Sequence, residues 1–571
     1  MMADRLLAHY ERIADAPDAV ARLRRFILDL AVRGKLVPQD PKDEPASELL
    51  KKIAAEKARL VKAGKIKPPK TVEISSATAH ELPENWKLVP LGEVINDHFG
   101  GGTPSKNNHD YWDGSVFWAS VKDVGKAKYL DDTIDRITEA GLKNSSSNLI
   151  SPGNLLVVTR MGLGKISINR VPVAINQDLR ALCLSKLISI DYCYNFFLTH
   201  GFEGTGLTVK GIKLDELLSI LFPLPPLAEQ KRIVAKVDEL MALCDQLDKA
   251  RTEREATRDR LAAASLARLN APDPETFHDD ARFALNVLPA ITARPNQVKQ
   301  LRQTILNLAV RGKLVPQEPK DEPASELLKR IADERKALLE IKKARRNSEQ
   351  EVLSLRDDVA LPSGWHWTNI DEVALSMRYG TSTKCEYGGA GVPVLRIPNV
   401  SGGVVSLEDI KFGPLTQNEV RDLALSSGDL LMIRSNGSLD IVGRSAVVID
   451  AAAGMAFAGY LVRLRLSVSN MNPKYVWLAL NSTYVRDQIE RPIRSAVGLK
   501  NVNLTEFGAL AFSLPPLAEQ HRIVAKVDEL MALCDRLEAG LTIREEVRGR
   551  LLDALLHEAL DPASGELEAA A

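Results

Sequence analysis

Two segments of this 571-residue chain each occur twice, and the order of the four copies limits the folds that the chain could adopt. Leu23–Ile53 returns as Leu301–Ile331 with 26 of 31 positions identical, and Phe222–Leu247 returns as Phe512–Leu537 with 23 of 26 identical. The two long inserts that lie between the copies barely resemble each other. A chain with near-identical scaffold segments around divergent inserts is organised to hold two different domains in equivalent positions.

The order of the copies predicts that the two ends of the chain meet. The PPLAEQ segment (222–247) is followed along the chain by the second copy of the LAVRGKLVPQ segment (23–53). The second PPLAEQ copy has no such successor, so its remaining partner is the copy near the N-terminus. We therefore predict that the N- and C-terminal helices pack side by side and close the chain into two equivalent halves.

Apolar spacing predicts that both repeated segments are helical. Two prolines end a strand and open the PPLAEQ helix, with Glu229 or Glu519 near the positive pole of that helix. Apolar residues then recur at alternating four- and three-residue steps, which is the seam of a coiled coil. The seam and the apolar stripe of the other repeated helix comprise Ile233, Val237, Leu240, Leu247, Ile523, Val527, Leu530, Leu537, Leu301, Ile305 and Leu308.

The composition excludes several classes of protein. No apolar run approaches the ~18 residues of a membrane span, and the five cysteines form no CxxC pair, so we expect buried thiols in a reducing cytoplasm. Lys and Arg number 75 and Asp and Glu number 75. The inserts are also near neutral, with 14 basic and 15 acidic residues in 82–222 and 14 and 13 in 361–512. Any contact with nucleic acid must therefore come from local charge or from a basic partner.

In its repeated segments the chain resembles the specificity (S) subunit of type I restriction–modification systems. The resemblance covers essentially the whole chain and rests on the LPPLAEQ-x-RIVAKVDELMALCD helix, the LAVRGKLVPQ segment and their alternation with two divergent domains. It implies two target-recognition domains that each read one half of a split sequence in double-stranded DNA. It further implies two methyltransferase (M) subunits that bind S-adenosylmethionine and two motor-endonuclease (R) subunits that use ATP and Mg.

The expected fold is α+β, with two globular mixed α/β target-recognition domains separated by long antiparallel coiled-coil helices in a pseudo-twofold circular arrangement. The helical regions would set the spacer between the half-sites and dock the M subunits. The expected regions are an N-terminal helical region at 1–81, a first target-recognition domain at 82–222, a central helical region at 223–360, a second target-recognition domain at 361–512, and a C-terminal helix at 513–571 that pairs with the N-terminal region.

Alignment of the two inserts with each other locates candidate DNA contacts. Both contain a glycine-led loop of small hydroxyls and lysine, a polar loop after an apolar strand, and a polar segment before the scaffold helix. Between the first two, Ser120 and Asp123 align with Arg396 and Asn399. Arginine and asparagine bind guanine and adenine bidentately, whereas lysine and hydroxyl groups suit phosphate. The candidates are Thr103, Ser105, Lys106, Ser120, Arg160, Lys165, Arg170, Lys210 and Lys213 in the first insert, and Thr381, Thr383, Lys384, Arg396, Asn399, Arg434, Ser435, Asn436, Arg444, Lys500 and Asn501 in the second.

These loops also have ordinary interpretations. The glycine-led loop could be a plain turn, and the polar loop could be an exposed hairpin. Arg160, Lys165 and Arg170 have no acidic residue nearby in the sequence, which favours DNA contact by the first polar loop. The alternatives stay open at this stage.

The sequence contains no recognisable catalytic pattern. Gly164-Lys165 lacks the upstream glycine and the following Ser or Thr of a phosphate-binding P-loop, and the nine histidines form no metal-ligand spacing. We therefore predict a chain that is not an enzyme and that holds no cofactor itself. Two other functions are possible: a coiled-coil assembly scaffold whose globular domains bind protein, and a stand-alone DNA-binding protein.

Overall fold

The computed structural model describes residues 10–68, 82–200, 211–342, 360–400, 402–494 and 500–560. The chain divides into two compact units, one formed by Met1–Glu253 with Glu545–Ala571 and the other by Arg254–Arg544. Each unit combines helices with several small sheets, which confirms the predicted α+β class. Within the described residues, no helix has both the length and the apolar character needed to cross a membrane.

The first unit starts its helices at residues that suit helix N-termini. Pro45 precedes one helix of the LAVRGKLVPQ segment, and the Ser189 hydroxyl accepts the Tyr192 N–H at the start of another helix, which satisfies a backbone donor that the helix itself cannot pair. The helices are α1 (Tyr10–Ile13), α2 (Ala19–Val32), α3 (Ala46–Lys62), α4 (Leu91–Val94), α5 (Glu139–Lys143), α6 (Ile190–Thr199), α7 (Leu214–Ser219) and α8 (Leu227–Asn270), the last of which continues into the second unit.

The first unit contains a strand pair and two larger sheets. Its strands are β1 (Lys87–Pro90), β2 (Ile95–Gly100), β3 (Trp112–Ala119), β4 (Tyr129–Leu130), β5 (Asp135–Ile137), β6 (Leu149–Ile150), β7 (Leu155–Val158), β8 (Ile166–Asn169), β9 (Val173–Ile175), β10 (Leu179–Leu184) and β11 (Leu221–Leu224). One sheet has the order β2-β10-β7-β8-β4 and the other has the order β5-β3-β9-β6. β7 and β8 are buried at every position, as expected for strands covered on both faces.

The two ends of the first insert leave the scaffold side by side. β1 pairs with β11 in antiparallel register, from Lys87 opposite Leu224 to Pro90 opposite Leu221. The side chain of Trp86, directly before β1, belongs to one hydrophobic core with α2, α3 and the start of α8. Burial of this apolar surface is the main force that holds the insert on the scaffold.

The second unit repeats this organisation. Its helices are α9 (Phe277–Asn286), α10 (Leu288–Ile291), α11 (Pro295–Val310), α12 (Ala324–Lys342), α13 (Ile370–Val373), α14 (Gln417–Leu423), α15 (Pro473–Asn481), α16 (Thr483–Arg494), α17 (Leu504–Gly508) and α18 (Leu517–Leu560), the last of which continues into the first unit. Its strands are β12 (His366–Asn369), β13 (Ala374–Tyr379), β14 (Val392–Leu395), β15 (Lys411–Gly413), β16 (Leu430–Ile433), β17 (Ser435–Asn436), β18 (Ser445–Val447), β19 (Ala456–Phe457), β20 (Leu461–Leu466), β21 (Lys500–Asn501) and β22 (Ala511–Leu514).

The two inserts share a sheet topology although their sequences diverge. The order β2-β10-β7-β8 in the first unit corresponds to β13-β20-β16-β18 in the second. The parallel pair β3 and β9, with β5 antiparallel to β3, corresponds to β14, β19 and β15. β12 pairs with β22 as β1 pairs with β11, and we name these two strand pairs the neck strands of the inserts. One topology with two sets of side chains fits the interpretation of two domains in equivalent positions.

The N- and C-terminal helices pack against each other within the first unit. Phe26 of α2 shares a buried cluster with Leu552 of α18. The Arg22 guanidinium donates to the Gly549 carbonyl at 3.1 Å and to the Asp553 carboxylate at 2.9 Å. This is the contact between the chain ends that the order of the repeats predicts.

Candidate nucleic-acid interface

The glutamate of the PPLAEQ motif joins three segments of the first unit. One Glu229 oxygen accepts the Trp86 indole N–H at 3.0 Å, and the other accepts the Gln39 amide at 2.7 Å. Arg232, one turn further along α8, donates to Asp43 at 2.6 Å. Glu229 is 1% exposed, and burial raises the pKa of its carboxyl, although the bonds from Trp86 and Gln39 oppose the rise. These bonds fix the start of the insert to α8 and to the LAVRGKLVPQ segment.

The second unit contains the same arrangement. Glu519 accepts the Trp365 indole N–H at 2.9 Å and the Gln317 amide at 3.1 Å, and Arg522 donates to Asp321 at 2.7 Å. Burial again raises the pKa of the glutamate. The sequence pattern predicts that both glutamates lie at a helix pole, but it does not by itself indicate their bonds to tryptophan. The joint recurrence of Trp and Glu in both copies is the signal that could have revealed them.

The glutamine of the motif attaches a second part of each insert. Gln230 accepts the Ser189 N–H at the start of α6 at 2.8 Å, and Gln520 accepts the Asn472 N–H at the start of α15 at 2.9 Å. Both glutamine side chains are 0% exposed. Each insert is therefore held at its first strand and at one internal helix by adjacent residues of one motif.

Four segments of the first unit that are distant in sequence converge where β2 and β7 end and β10 begins. The Gly102 N–H donates to the Ile175 carbonyl at 3.0 Å, and the Thr159 N–H donates to the Asp178 carbonyl at 2.9 Å. The Ile212 N–H in turn donates to the Thr159 carbonyl at 3.0 Å. We name this surface the first edge, which comprises residues 100–106, 159–165, 176–178 and 211–213.

Arg160 and Lys165 lie on the first edge with exposed side chains, whereas Arg170 does not lie there. Arg170 follows β8 at the opposite end of the sheet, since β8 runs antiparallel to β7. Its guanidinium stacks on the Tyr129 ring at 3.5 Å.

Both arginines lack an acidic neighbour in the sequence, but each has one in the folded chain. Folding places Asp178 3.9 Å from Arg160 and Asp131 3.9 Å from Arg170. The arginine side chains are 52% and 55% exposed. Ion pairs of this length and exposure are weak, so DNA phosphate can compete with both carboxylates.

The equivalent segments converge in the second unit. The Thr381 N–H donates to the Phe457 carbonyl and the Arg434 N–H to the Tyr460 carbonyl, both at 2.9 Å. The Val502 N–H donates to the Arg434 carbonyl at 2.9 Å, as Ile212 does to the corresponding carbonyl in the first unit. We name this surface the second edge, which comprises residues 380–384, 434–437, 457–460 and 500–503.

Arg434 is the best-positioned cation of the second edge. Its guanidinium lies 4.2 Å from the centre of the Tyr379 ring, and its Nε donates to the Asn501 side chain at 3.2 Å. The guanidinium stacks on the ring through one of its faces, and its terminal N–H donors lie in the plane of the group. A planar pair of N–H donors is the arrangement that binds guanine bidentately. Arg444 donates to the Asp440 carboxylate at 2.9 Å and is half-exposed.

Backbone pairing determines which side chains of the two polar loops occupy equivalent positions. Arg160 makes an antiparallel bridge to the segment that precedes α7, and Ser435 makes the same bridge to the segment that precedes α17. Arg160 therefore corresponds to Ser435, and the next residue, Met161, corresponds to Asn436.

The turns at 120–123 and 396–399 occupy equivalent positions, as the insert alignment predicts, but their side chains bond internally. The Ser120 hydroxyl and N–H donate to the Asp123 carboxylate at 3.0 and 2.8 Å. The Arg396 N–H donates to the Asn399 side chain at 2.8 Å, and the Arg396 guanidinium donates to Asp409 at 2.8 Å. Ser120 is 7% exposed and Asn399 is 1% exposed. In this geometry the buried Ser120 and Asn399 brace the turns beside the edges, whereas the Arg396 guanidinium is 22% exposed and is held by Asp409.

The remaining candidates differ in exposure. Ser105, Lys106, Lys213, Lys384 and Asn501 are exposed, Thr103, Thr383 and Asn436 are half-buried, and Thr381 and Ser435 are buried. The Thr103 hydroxyl donates to Gln177 at 2.5 Å, and the Lys384 ammonium lies 3.0 Å from Glu386 in an exposed pair. Lys210 lies outside the described residues, and only the backbone of Lys500, in β21, is described.

The predicted seam residues divide between core and surface. Ile233 and Val237 are 0% and 2% exposed in the core that α8 shares with the insert and with α2 and α3. Leu247 and its counterpart Leu537 are each 37% exposed. Ile523, Val527 and Ile305 are buried, and Leu240, Leu530, Leu301 and Leu308 are half-buried. The start of each seam thus anchors an insert, whereas Leu247 and Leu537 further along the helices are exposed.

Comparison with known proteins assigns the chain to a family. The family model described as "Type I restriction modification DNA specificity domain" matches residues 83–256 and 362–547. The chain belongs to this family. Each matched segment starts at the neck of one insert and ends in the following long helix, so each contains one edge and one PPLAEQ motif.

Relatives of nearly the same length agree with this assignment. The chain is 31% identical to the type I restriction enzyme EcoAI specificity subunit and 30% identical to the EcoEI specificity subunit, both of Escherichia coli, with 95% of this chain and 94% of each relative covered. Among solved structures, the HsdS subunit from Thermoanaerobacter tengcongensis is 19% identical, with 85% of this chain and 98% of that chain covered and a TM-score of 0.42.

The chain is therefore a DNA sequence-recognition subunit of a type I restriction–modification complex. It is the non-catalytic specificity component, and its partners are DNA and the M and R subunits of that complex. The family expectation from the sequence is confirmed.

Proposed function

We propose that the first and second edges each read one half of a bipartite DNA target. The observation that carries the proposal is the convergence, in both units, of four equivalent segments at the same end of an equivalent sheet. Arg160 and Lys165 would contact DNA in one half-site. Arg434 and Asn436, together with Arg444 beside the second edge, would contact it in the other. The domain limits 82–222 and 361–512 belong to the proposal and are supported by the neck strands that join the ends of each insert.

Two short readings on one chain explain how the protein could be selective without a long contact surface. Once the first half-site is bound, the second binding event is intramolecular, so the two readings reinforce each other without a second association cost. Each mismatched base pair would cost roughly 1–3 kcal/mol. The helical regions would set the unspecified spacer between the half-sites.

The charge balance bears on how the chain reaches DNA. Affinity for DNA comes largely from phosphate neutralisation, and this chain has net charge +0. We propose that the M subunits supply much of the positive charge, so the isolated chain would bind weakly. Tight binding by the pure chain would instead favour a stand-alone DNA-binding protein.

The exposed leucines at and beside the end of each seam form the proposed docking surface for the M subunits. Leu243 and Leu247 of α8 are 47% and 37% exposed, and their counterparts Leu533 and Leu537 of α18 are 40% and 37% exposed. Two matching apolar faces suit two copies of one partner, which supports two M subunits, and by the same twofold logic two R subunits.

The five cysteines are free thiols, which supports a cytoplasmic location.

Methylome sequencing of cells with and without the gene and its M subunit tests the proposal directly. We expect one bipartite adenine-methylation motif that depends on this chain, whereas a protein-binding scaffold predicts no such motif. Arg434→Ala or Asn436→Ala should relax or weaken only one half of the motif. Lys329→Ala, which removes an exposed positive charge that pairs with Glu326 of the same helix α12, is the control and should leave the motif unchanged. Loss of both half-sites together would indicate folding damage.

A further inference from the structure

We propose that Met161 reads a thymine in the first half-site through contact of its side chain with the C5-methyl group of the base. The inference rests on the proposed function, because it places a base contact on the first edge. Met161 was not among the candidates from the sequence, since an isolated methionine in a polar loop carries no pattern.

The position of Met161 makes it the apolar tip of a basic loop. Its side chain is 65% exposed, and it lies between Arg160 and Lys165, both of which are exposed. A single exposed apolar residue on a protein surface is ordinary. At this site, however, the neighbouring cations would draw a phosphate backbone against the loop and bring the tip to the base edges.

The backbone at Met161 is held in an unfavourable conformation. Its φ is 58°, in the left-handed region, and the other non-glycine residues with positive φ in the described part of the chain are Asp18, Asp113 and Asp409. Aspartate tolerates this conformation through local hydrogen bonds of its short side chain, whereas methionine has no such compensation. Strain of this kind persists where surrounding structure imposes it, and it concentrates at functional sites.

Regular backbone pairing imposes the conformation on both sides of the tip. The Val158 N–H donates to the Lys165 carbonyl at 3.0 Å, which closes the base of the loop. The Arg160 bridge to the segment before α7 fixes the residue that directly precedes the tip. The tip therefore projects from a braced loop, and this limits the entropy that a contact would cost.

The equivalent residue of the second edge identifies the chemistry. Backbone pairing aligns Met161 with Asn436, so the same position presents an apolar chain in one domain and an amide in the other. An amide suits the N6 and N7 groups of adenine. The one apolar group on the base edges of the grooves is the thymine methyl group, so an apolar side chain at this position suits thymine.

Replacement of thymine by deoxyuridine removes this methyl group and nothing else, so it tests the contact directly. The probe is a duplex that carries the motif from methylome sequencing, in which each thymine of the first half-site is replaced singly. Binding is measured with the complex of this chain and its M subunits. With Met161 present, one replacement should weaken binding about fourfold, the value for one buried methyl or methylene group. With Met161→Ala, the same replacement should have no further effect.

Two variants complete the test. Met161→Asn should fold, because asparagine tolerates left-handed backbone, and it should lose the preference for thymine at that position. Leu198→Ala removes an exposed apolar side chain of α6, a helix that Ser189 anchors to α8, and it should leave the deoxyuridine profile unchanged.

Several results would overturn the inference. They are a first half-site without thymine in either strand, a wild-type profile that no replacement changes, and a replacement effect that survives Met161→Ala. If Met161→Ala weakens binding but deoxyuridine does not, the side chain acts as a wedge between bases and the thymine contact is refuted. The proposed function fails separately, if Arg160→Ala and Lys165→Ala leave the first half-site unaffected.

Discussion

Replacement of Glu229 by glutamine tests whether the PPLAEQ glutamate holds the insert on the scaffold. The carboxylate accepts two N–H groups, from Trp86 and Gln39, and an amide offers only one oxygen acceptor. One donor in this buried site would lose its partner, which costs about 1–3 kcal/mol. Removal of a buried charge returns part of that cost, so we expect Glu229→Gln to lower the free energy of unfolding of the first unit by about 1–2 kcal/mol at pH 7.

The pH dependence of the stability deficit separates the cost of the lost hydrogen bond from the gain of removing the buried charge. Because burial raises the pKa of Glu229 in the folded chain above its ordinary value of 4.5, the folded state binds the proton more tightly than the unfolded state. The stabilisation from this group is complete below pH 4.5 and is lost as the pH rises through the folded pKa. The stability deficit of Glu229→Gln should therefore narrow as the pH rises above 4.5.

Urea unfolding followed by circular dichroism gives the free energies, and hydrogen exchange at the start of α8 assigns them to this site. Glu519→Gln should give a deficit of similar size at the start of α18, because its two bonds are the same in kind. Glu239→Gln, which alters an exposed pair with Lys236, is the control and should change stability little. The absence of a deficit at any pH would refute the assignment of Glu229 as a clamp, and a deficit that widens as the pH rises would refute the raised pKa.

Three further predictions follow from the structure. Leu552 is 1% exposed in the cluster between α2 and α18, so Leu552→Ala opens a cavity there and should lower the free energy of unfolding by about 2–4 kcal/mol. It should also accelerate hydrogen exchange in both helices, whereas Val547→Ala, at a 53% exposed position, should do neither. Burial lowers the pKa of Lys57 from 10.5 to about 8, against the opposing effect of Glu93 and Glu56. Between about pH 8 and pH 10.5 the unfolded state therefore binds more protons than the folded state. Stability measured by urea unfolding should thus rise with pH from about 8 to 10.5 relative to Lys57→Met. DNA binding by the isolated chain should be weak and steeply salt-dependent, and equal affinity with and without M subunits in a titration at two salt concentrations would contradict the proposed division of charge.

The repeats carried most of what could be predicted from the sequence. Near-identity of the two PPLAEQ helices and the apolar periodicity indicated long helices and equivalent inserts, because these signals depend on local spacing. The contact between the chain ends followed from the order of the copies alone. The register of the insert alignment was also correct at the turns of Ser120 and Arg396, because short shared landmarks flank both.

Other features depended on long-range pairing that sequence spacing does not reveal. Asp178 and Asp131 lie beside arginines that have no acid near them in the sequence, since sheet pairing brings distant strands together. Arg170 was predicted in the same group as Arg160, but the antiparallel turn between β7 and β8 sends it to the other end of the sheet. The burial of Ser120 and Asn399 likewise reflects hydrogen bonds that a pattern of polar residues cannot distinguish from surface exposure.

The neck strands have a consequence for how such a chain could evolve. An insert that enters and leaves through one adjacent pair of strands, and that is gripped by the same scaffold residues in both units, can be replaced without rebuilding its surroundings. The two scaffold segments that hold the inserts are near-identical in amino-acid sequence, so recombination between their coding segments would exchange one insert for another. A crossover there would bring in a whole new insert and, if the edges read DNA as proposed, a new half-site specificity. The scaffold and its assembly with partner subunits would stay unchanged.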